Sequence, residues 1–383
     1  MPPHFAPARA GALRPLTEAS RRGLVGQGLC SSQLERVVHE GPGPPFQLPV
    51  ALLVRVGSLL VSVCAVVPEG SEKRLVGQAA LCQGANIQKM ELPTISDAEL
   101  RSRARGLLLG IACGEAATGA LSLTHMVLEL GESLVARGEI EPELLLERWI
   151  RLDPAWRPRG GSITGQALRL YEEGFPAQGL AEATARVVPD RSGDGPLVRV
   201  LPIAIAARRD GARLKRWANQ GASVTHSDLT SRMAAVGSCL LARDLLTRGL
   251  DESLARVGQA LREEAPLRLA GVLRHPTRGD TPELGDDAVA VLSQATYALS
   301  ESRNLEGVLQ EVENQEGSNH GSLPLAGGLA GASFGFDPSS PRLAKVDIAL
   351  RQRLEQLADR LVDFEAGVHA SPVAPGGATP GPD

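Results

Sequence analysis

Residues 314–335 read NQEGSNHGSLPLAGGLAGASFG, and the fold turns on what this stretch can do. It opens as a polar, glycine-flanked loop and becomes a run of Leu, Ala and Gly. In a helix, Gly327, Gly328 and Gly331 each cost about 1 kcal/mol relative to Ala, and Ala330 adds little to pack. A helix built this way survives only where neighbouring backbones press against it, which places it at the centre of a helical protein. The loop before it, Gly317, Ser318, Asn319, His320 and Gly321, then lies over the core with backbone N–H groups able to meet a ligand.

The composition agrees with helices. Aromatic residues make up only 3% of the 383 residues, while Gly, Ala and Leu are abundant; this favours close-packed helices over β-sandwiches. A net charge of −4 makes no electrostatic case for a nucleic-acid partner. The five cysteines, at 30, 64, 82, 113 and 239, are scattered and contain no CxxC pair. Neither a disulfide framework nor a zinc ribbon is suggested, and a cytoplasmic setting is the expectation. Residues 48–67, LPVALLVRVGSLLVSVCAVV, tempt a transmembrane reading. Arg55 interrupts them, and the alternation of Val61 and Val63 with Ser62 and Cys64 suits a strand equally well. No membrane association is expected.

Residues 1–96 do not read like the remainder. The first 47 are rich in Pro, Gly and Arg without a sustained period, and Met90 would serve as a native start. From Ser96–Asp97 the chain is helix after helix. Leu123, Val127, Leu130 and Leu134 recur at spacings of four and three before an Arg–Gly stop at 137–138. Pro142 opens a short helix, and further helices are expected at 162–173, 177–187, 252–263, 286–301 and 305–313. Gly195–Pro196 starts another, with Pro in the first turn. Thr225 and Asp228 are expected to form a capping box for a helix bearing Leu229 to Leu245, which makes His226 part of a helix start. The basic run from Arg208 to Arg216 reads as a solvated face, and Asp286–Asp287 as charge at a helix N-terminus. A last helix repeats Leu343, Val346, Leu350, Leu354, Leu357 and Leu361. The fold class is therefore all-α, a compact single-domain orthogonal helix bundle over 97–366, followed by a Pro/Gly tail at 367–383.

Several of these stretches, in order, resemble the motifs of the ADP-ribosylglycohydrolase family. Gly110-Ile111-Ala112-Cys113-Gly114-Glu115-Ala116 is similar to its opening G-x-x-x-G-D-A. Residues 123–130 look like the helix after its T-D-D-T motif, and Arg159-Gly160-Gly161 with Thr164 resembles R-G-x-G-x-T. Asp194-Gly195-Pro196-Leu197-Val198-Arg199 with Pro202 is similar to N-G-x-x-M-R-x-x-P, and Thr225-His226 matches a T-H at a helix start. Gly317 to Gly335 resembles G-G-D-T-D-T-x-A-A-x-x-G-A-L-A-G-A-x-Y-G. The resemblance implies an all-α bundle around two magnesium ions, and cleavage of the bond joining ADP-ribose to a protein side chain.

The departures from those motifs matter more than the matches. The acidic T-D-D positions fall on Leu121, Ser122 and Leu123, and D-T-D-T falls on Ser318, Asn319, His320 and Gly321. Glu115 is the one acid retained. A carboxylate 4 Å from a divalent cation contributes roughly 8 kcal/mol gross at an effective dielectric of 20. Losing about four of them leaves no evident means of holding two magnesium ions. Glu115 is then a general acid/base, a lone metal ligand or a helix-terminal charge. His320 and His125, with Cys113 and Glu115, would suit a softer metal. Without HxxH spacing, they read instead as loop and surface histidines beside a buried Cys. No cofactor is assigned. Asp194, Gly195, Gly317, Ser318, Asn319, His320 and Gly321 remain as ligand contacts through backbone amides and short polar side chains. Three expectations follow. The first is a degenerate member that binds ADP-ribose or an ADP-ribosylated protein; the alternatives are a diverged active hydrolase and a helical interaction scaffold.

Overall fold

The structure is a computed structural model. It describes residues 50–56, 59–65, 95–116, 118–119, 121–154, 162–188, 193–274, 287–315 and 321–364. The chain divides into two units, 1–85 and 86–383. In the first, β1 (Val50–Val56) and β2 (Leu59–Ala65) form an antiparallel hairpin with Val54 opposite Val61. Residues 48–67, ambiguous from their sequence, thus contain two strands.

The second unit is helical throughout its described residues. α1 (Asp97–Ala116) begins where Ser96 accepts a hydrogen bond from the Glu99 amide. α2 (Ser122–Arg137) ends at Gly138, whose φ of 77° places it in the left-handed region that favours glycine. Then follow α3 (Pro142–Ile150), α4 (Ile163–Glu172), α5 (Leu180–Val187) and the short α6 (Gly195–Arg199) and α7 (Pro202–Ala206). Pro202 lacks an N–H and divides what would otherwise be one helix. The remaining helices are α8 (Gly211–Ser223), α9 (Leu229–Leu245), α10 (Leu250–Ala260), α11 (Leu267–Arg274), α12 (Ala288–Glu301), α13 (Leu305–Glu313), α14 (Ser322–Phe334) and α15 (Ile348–Asp363).

α14 is the small-residue helix, and every residue from Ser322 to Ala332 is buried. It runs antiparallel to α1 with backbones in direct contact. Gly106 faces Gly331, Gly110 faces Gly327, and Gly114 faces the Leu323 carbonyl. These glycines recur every four residues on both helices, so each helix presents a groove with no Cβ to the other. α9, α12 and α13 pack around the rest of α14. α15 closes over α1, where Arg105 forms a two-bonded ion pair with Asp359 and Arg101 one with Asp363. Being partly exposed, such pairs fix register more than they add stability.

Several sequence expectations are corrected. α8 and α11 carry no sequence expectation of their own, and the first turns of α8 overlap the basic run that reads as a solvated face. Arg208, in that run, is buried and donates to the Val362 carbonyl. The last helix starts at Ile348, not Leu343, because Leu343–Lys345 form a separate 3-10 turn. Asp228 caps α9 alone, accepting from the Ser231 amide. Thr225 takes no part in that cap, because its hydroxyl is engaged with a buried arginine described below.

Candidate functional site

The first element of the site is the junction of α1 and α2. Glu115, in the last turn of α1, is 3% exposed. Its Oε1 accepts from the Leu123 amide at 2.7 Å and from Ser122 Oγ at 3.3 Å. Its Oε2 accepts from the Thr124 amide and the Thr124 hydroxyl, both at 2.7 Å. The residue at the start of α2, Leu121, offers no side-chain cap. A carboxylate from the preceding helix therefore satisfies the free amides of α2 and meets the positive end of its dipole.

Burial pushes the Glu115 carboxyl above its ordinary value, with the donors of Thr124, Leu123 and Ser122 opposing. Since the folded value lies above the unfolded one near 4.5, the folded chain holds an extra proton between the two. The group's stabilising contribution is complete below about 4.5 and is lost as pH rises through the raised folded value. Glu115→Gln cannot ionise and is expected to lack that loss. In urea titrations from pH about 4.5 to neutrality, the stability difference should move in favour of the Gln variant. A gap that stays constant, or that moves the other way, contradicts this account.

The second element surrounds the start of α6. Gly193 is paired through an isolated bridge to Asp287, and Asp194 and Gly195 follow. The Asp194 carboxylate lies against the start of α14, where a Cβ on Gly321 would come within 3.0 Å of Asp194 Oδ2. On its other side, Gly195 sits over the hydroxyl of Thr164, a buried residue of α4.

Beneath this loop lies Arg199, which is fully buried. Its Nη1 donates to Thr164 Oγ1 at 3.1 Å, and its Nη2 to Thr225 Oγ1 at 2.6 Å and to the Ala222 carbonyl at 3.2 Å. The guanidinium stacks over Trp149, 5.2 Å from the ring centroid. Nε has no hydrogen-bond partner among the described residues. Burial pulls the guanidinium down to about 9, and the charge of Asp194 opposes the shift; it therefore remains a cation at neutral pH. His226 adjoins it, with Nδ1 2.7 Å from Thr225 Oγ1. Burial, and then the Arg199 charge, hold the imidazole well below its ordinary value, so the ring is neutral.

The structure thus brings Asp194, Gly195 and Gly321 together, and places Glu115 in the α1–α2 cap. Gly317, Ser318, Asn319 and His320 lie outside the described residues, as do Arg159–Gly161 and Asp286. Asp287 caps α12, accepting from the amides of Val289 and Ala290. His125 is buried, not a surface histidine, and burial followed by the Arg353 charge lowers it to about 4. Cys113 stands two positions before Glu115, on another face of α1. Its thiol is near Ser340, Glu306 and Arg342 and is pushed up to about 11 by burial. Cys113 and Glu115 therefore do not converge on one ion. Sequence reasoning leaves Arg199 and His226 out of the site. The resemblance places Arg199 within one motif and His226 in another, but by local rules the Thr–His pair reads as a cap and a helical arginine as surface charge.

The fold and this loop cluster define a family. The model of the ADP-ribosylglycohydrolase family matches residues 96–370, and the chain belongs to that family. An ADP-ribosylarginine hydrolase of Pseudomonas putida is 26% identical over 375 residues, covering 88% of this chain and 93% of its own length. The ADP-ribosyl-[dinitrogen reductase] glycohydrolase of Rhodospirillum rubrum is 27% identical over 248 residues, covering 62% of this chain and 77% of its own. A chain of a solved ADP-ribosylglycohydrolase-related protein complex superposes with a TM-score of 0.57 at 25% identity, over 70% of this chain and 99% of that one. No helix among the described residues is long and apolar enough to cross a membrane.

Among the described residues, no group of three or more His, Cys, Asp or Glu side chains converges to hold a metal such as the two magnesium ions that the resemblance implied. A carboxylate ligand must turn oxygen lone pairs towards the cation. Those of Glu115 are turned towards two amides and two hydroxyls.

Proposed function

We propose that this chain binds ADP-ribose, or a protein carrying it, and cleaves the linkage slowly or not at all. One observation carries the proposal: the single acid retained in the motif segments, Glu115, is committed to capping α2 through both oxygens. The replacement of the other acids by Leu121, Ser122 and Leu123, and by Ser318 to Gly321, supports the same reading. What remains is a recognition loop, Gly193–Gly195, resting on a buried cation and facing the start of α14. Backbone amides and short polar side chains in such a loop suit the hydroxyl and phosphate oxygens of ADP-ribose.

A second reading, a diverged hydrolase, draws on Asp194. It brings a carboxylate against Gly321, the last position of the family's second acidic motif. Calorimetry with ADP-ribose, with and without Mg²⁺, separates the two. The affinity is expected to change by less than about twofold when Mg²⁺ is added, a difference below about 0.4 kcal/mol. Affinity that depends on Mg²⁺, or ADP-ribose released from ADP-ribosyl-arginine, would replace the first reading with the second. Absence of binding in both conditions leaves the helical interaction scaffold.

A further inference from the structure

The Arg199–Thr225–His226 chain has more order than a core network requires. A guanidinium only donates, so Thr225 Oγ1, 2.6 Å from Arg199 Nη2, accepts that bond. The hydroxyl has one proton of its own. Among the described residues, the only acceptor facing it is His226 Nδ1, at 2.7 Å. Nδ1 is therefore bare, and the ring proton resides on Nε2. The neighbouring cation reinforces this assignment, since an N–H dipole aimed towards Arg199 would be repelled.

Nε2 lies beside the candidate ligand loop. A Cβ built on Gly193 would stand 2.5 Å from it, and one on Gly195 would stand 4.0 Å from His226 Cε1. The residue is 3% exposed, and its ring makes its described hydrogen bond through Nδ1, which leaves Nε2 facing the loop. An oxygen arriving at this loop would meet that donor directly.

We propose that Thr225 and Arg199 are positioning residues that hold His226 as its Nε2–H tautomer, so that the ring offers a hydrogen bond to an oxygen acceptor of the ligand at Gly193–Gly195. This inference rests on the proposed binding of ADP-ribose for the identity of that ligand, but not for the tautomer. Thr225 is the position to vary. Thr225→Val keeps the shape and removes the hydroxyl, whereas Thr225→Ser keeps the hydroxyl.

The experiment is nitrogen NMR of the histidine rings in the full chain, with His226 assigned by the signal lost in His226→Gln, alongside calorimetry with ADP-ribose. Wild type and Thr225→Ser are expected to show a protonated Nε2 and a bare Nδ1; Thr225→Val should show a mixture of tautomers. ADP-ribose affinity should fall about tenfold in Thr225→Val and stay within about twofold in Thr225→Ser. A wild-type ring protonated on Nδ1 overturns the proposal without any variant having to fold. So does a Thr225→Val chain that binds ADP-ribose as wild type does. Wild-type protein with the expected tautomer but no ADP-ribose binding instead overturns the ligand reading and leaves the tautomer lock standing.

Discussion

Replacing Gly331 by Ala is expected to cost the helical domain at least about 3 kcal/mol of stability. A Cβ at this position would lie within 3.0 Å of the carbonyl oxygen and carbon of Gly106 and of the Leu107 amide nitrogen. All three are backbone atoms inside α1, so no side chain can rotate away. The two helices would have to separate along their whole contact, and α14 touches α1 at Gly327 and Leu323 as well. The intrinsic gain from Ala in a helix, about 1 kcal/mol, does not offset this. Gly271→Ala is the matched control. It lies in α11, where the added methyl group would have nothing within 4 Å among the described residues. The propensity difference alone should then act and raise stability by up to about 1 kcal/mol. Urea denaturation of the two variants should therefore give shifts of opposite sign. Shifts of equal sign would show that the α1–α14 contact is looser than the geometry indicates.

Arg199→Ala is expected to have the largest effect of any polar substitution, about 4 kcal/mol, because it empties the volume beneath Trp149. Whether volume or hydrogen bonding dominates is decided by what the departing guanidinium leaves behind. The Ala222 carbonyl also accepts from the His226 amide, and Thr225 keeps its bond to the His226 ring. Few groups are orphaned. The cation itself is held away from water with Nε unpartnered and, among the described residues, without a carboxylate hydrogen-bonded to it. Arg199→Met fills most of the volume without a buried charge and should retain stability to within about 2 kcal/mol of wild type. Melting curves of the two variants check this. If Met proves as damaging as Ala, hydrogen bonding outweighs packing at this site. In either case the affinity for ADP-ribose should fall in Arg199→Met, because Thr225 loses the donor that orients its hydroxyl.

Much of the fold was legible in the residues. The four-residue spacing of glycines in 314–335 required close backbone neighbours, and α1 supplies them with Gly106, Gly110 and Gly114. Pro142 and Gly138 bounded their helices by local rules that need no tertiary partner. The helices that escape sequence reasoning, α8 and α11, do carry a helical period, with Leu214, Trp217, Ala218 and Ala222 buried in one and Leu269, Ala270 and Leu273 in the other; in α8 the basic run hides it. The candidate site was less legible. Asp194, Gly195 and Gly321 could be selected because glycine and short polar residues mark ligand loops, whatever surrounds them.

The roles of Glu115, Thr225 and His226 could not be read the same way. A carboxylate before a short turn looks identical in sequence whether it meets a metal or the amides of the next helix, and a Thr–His pair at a helix start looks like a cap. By itself, the sequence determined that α14 must be central, since that follows from residue type and spacing along the chain, and its resemblance to the family's motifs implied that the acidic positions had been replaced. Only the tertiary structure decided that Glu115 caps α2 and that Arg199, Thr225 and His226 form one chain beneath the ligand loop. Those assignments depend on which donor faces which acceptor across separate helices, and the packing of the helices sets that.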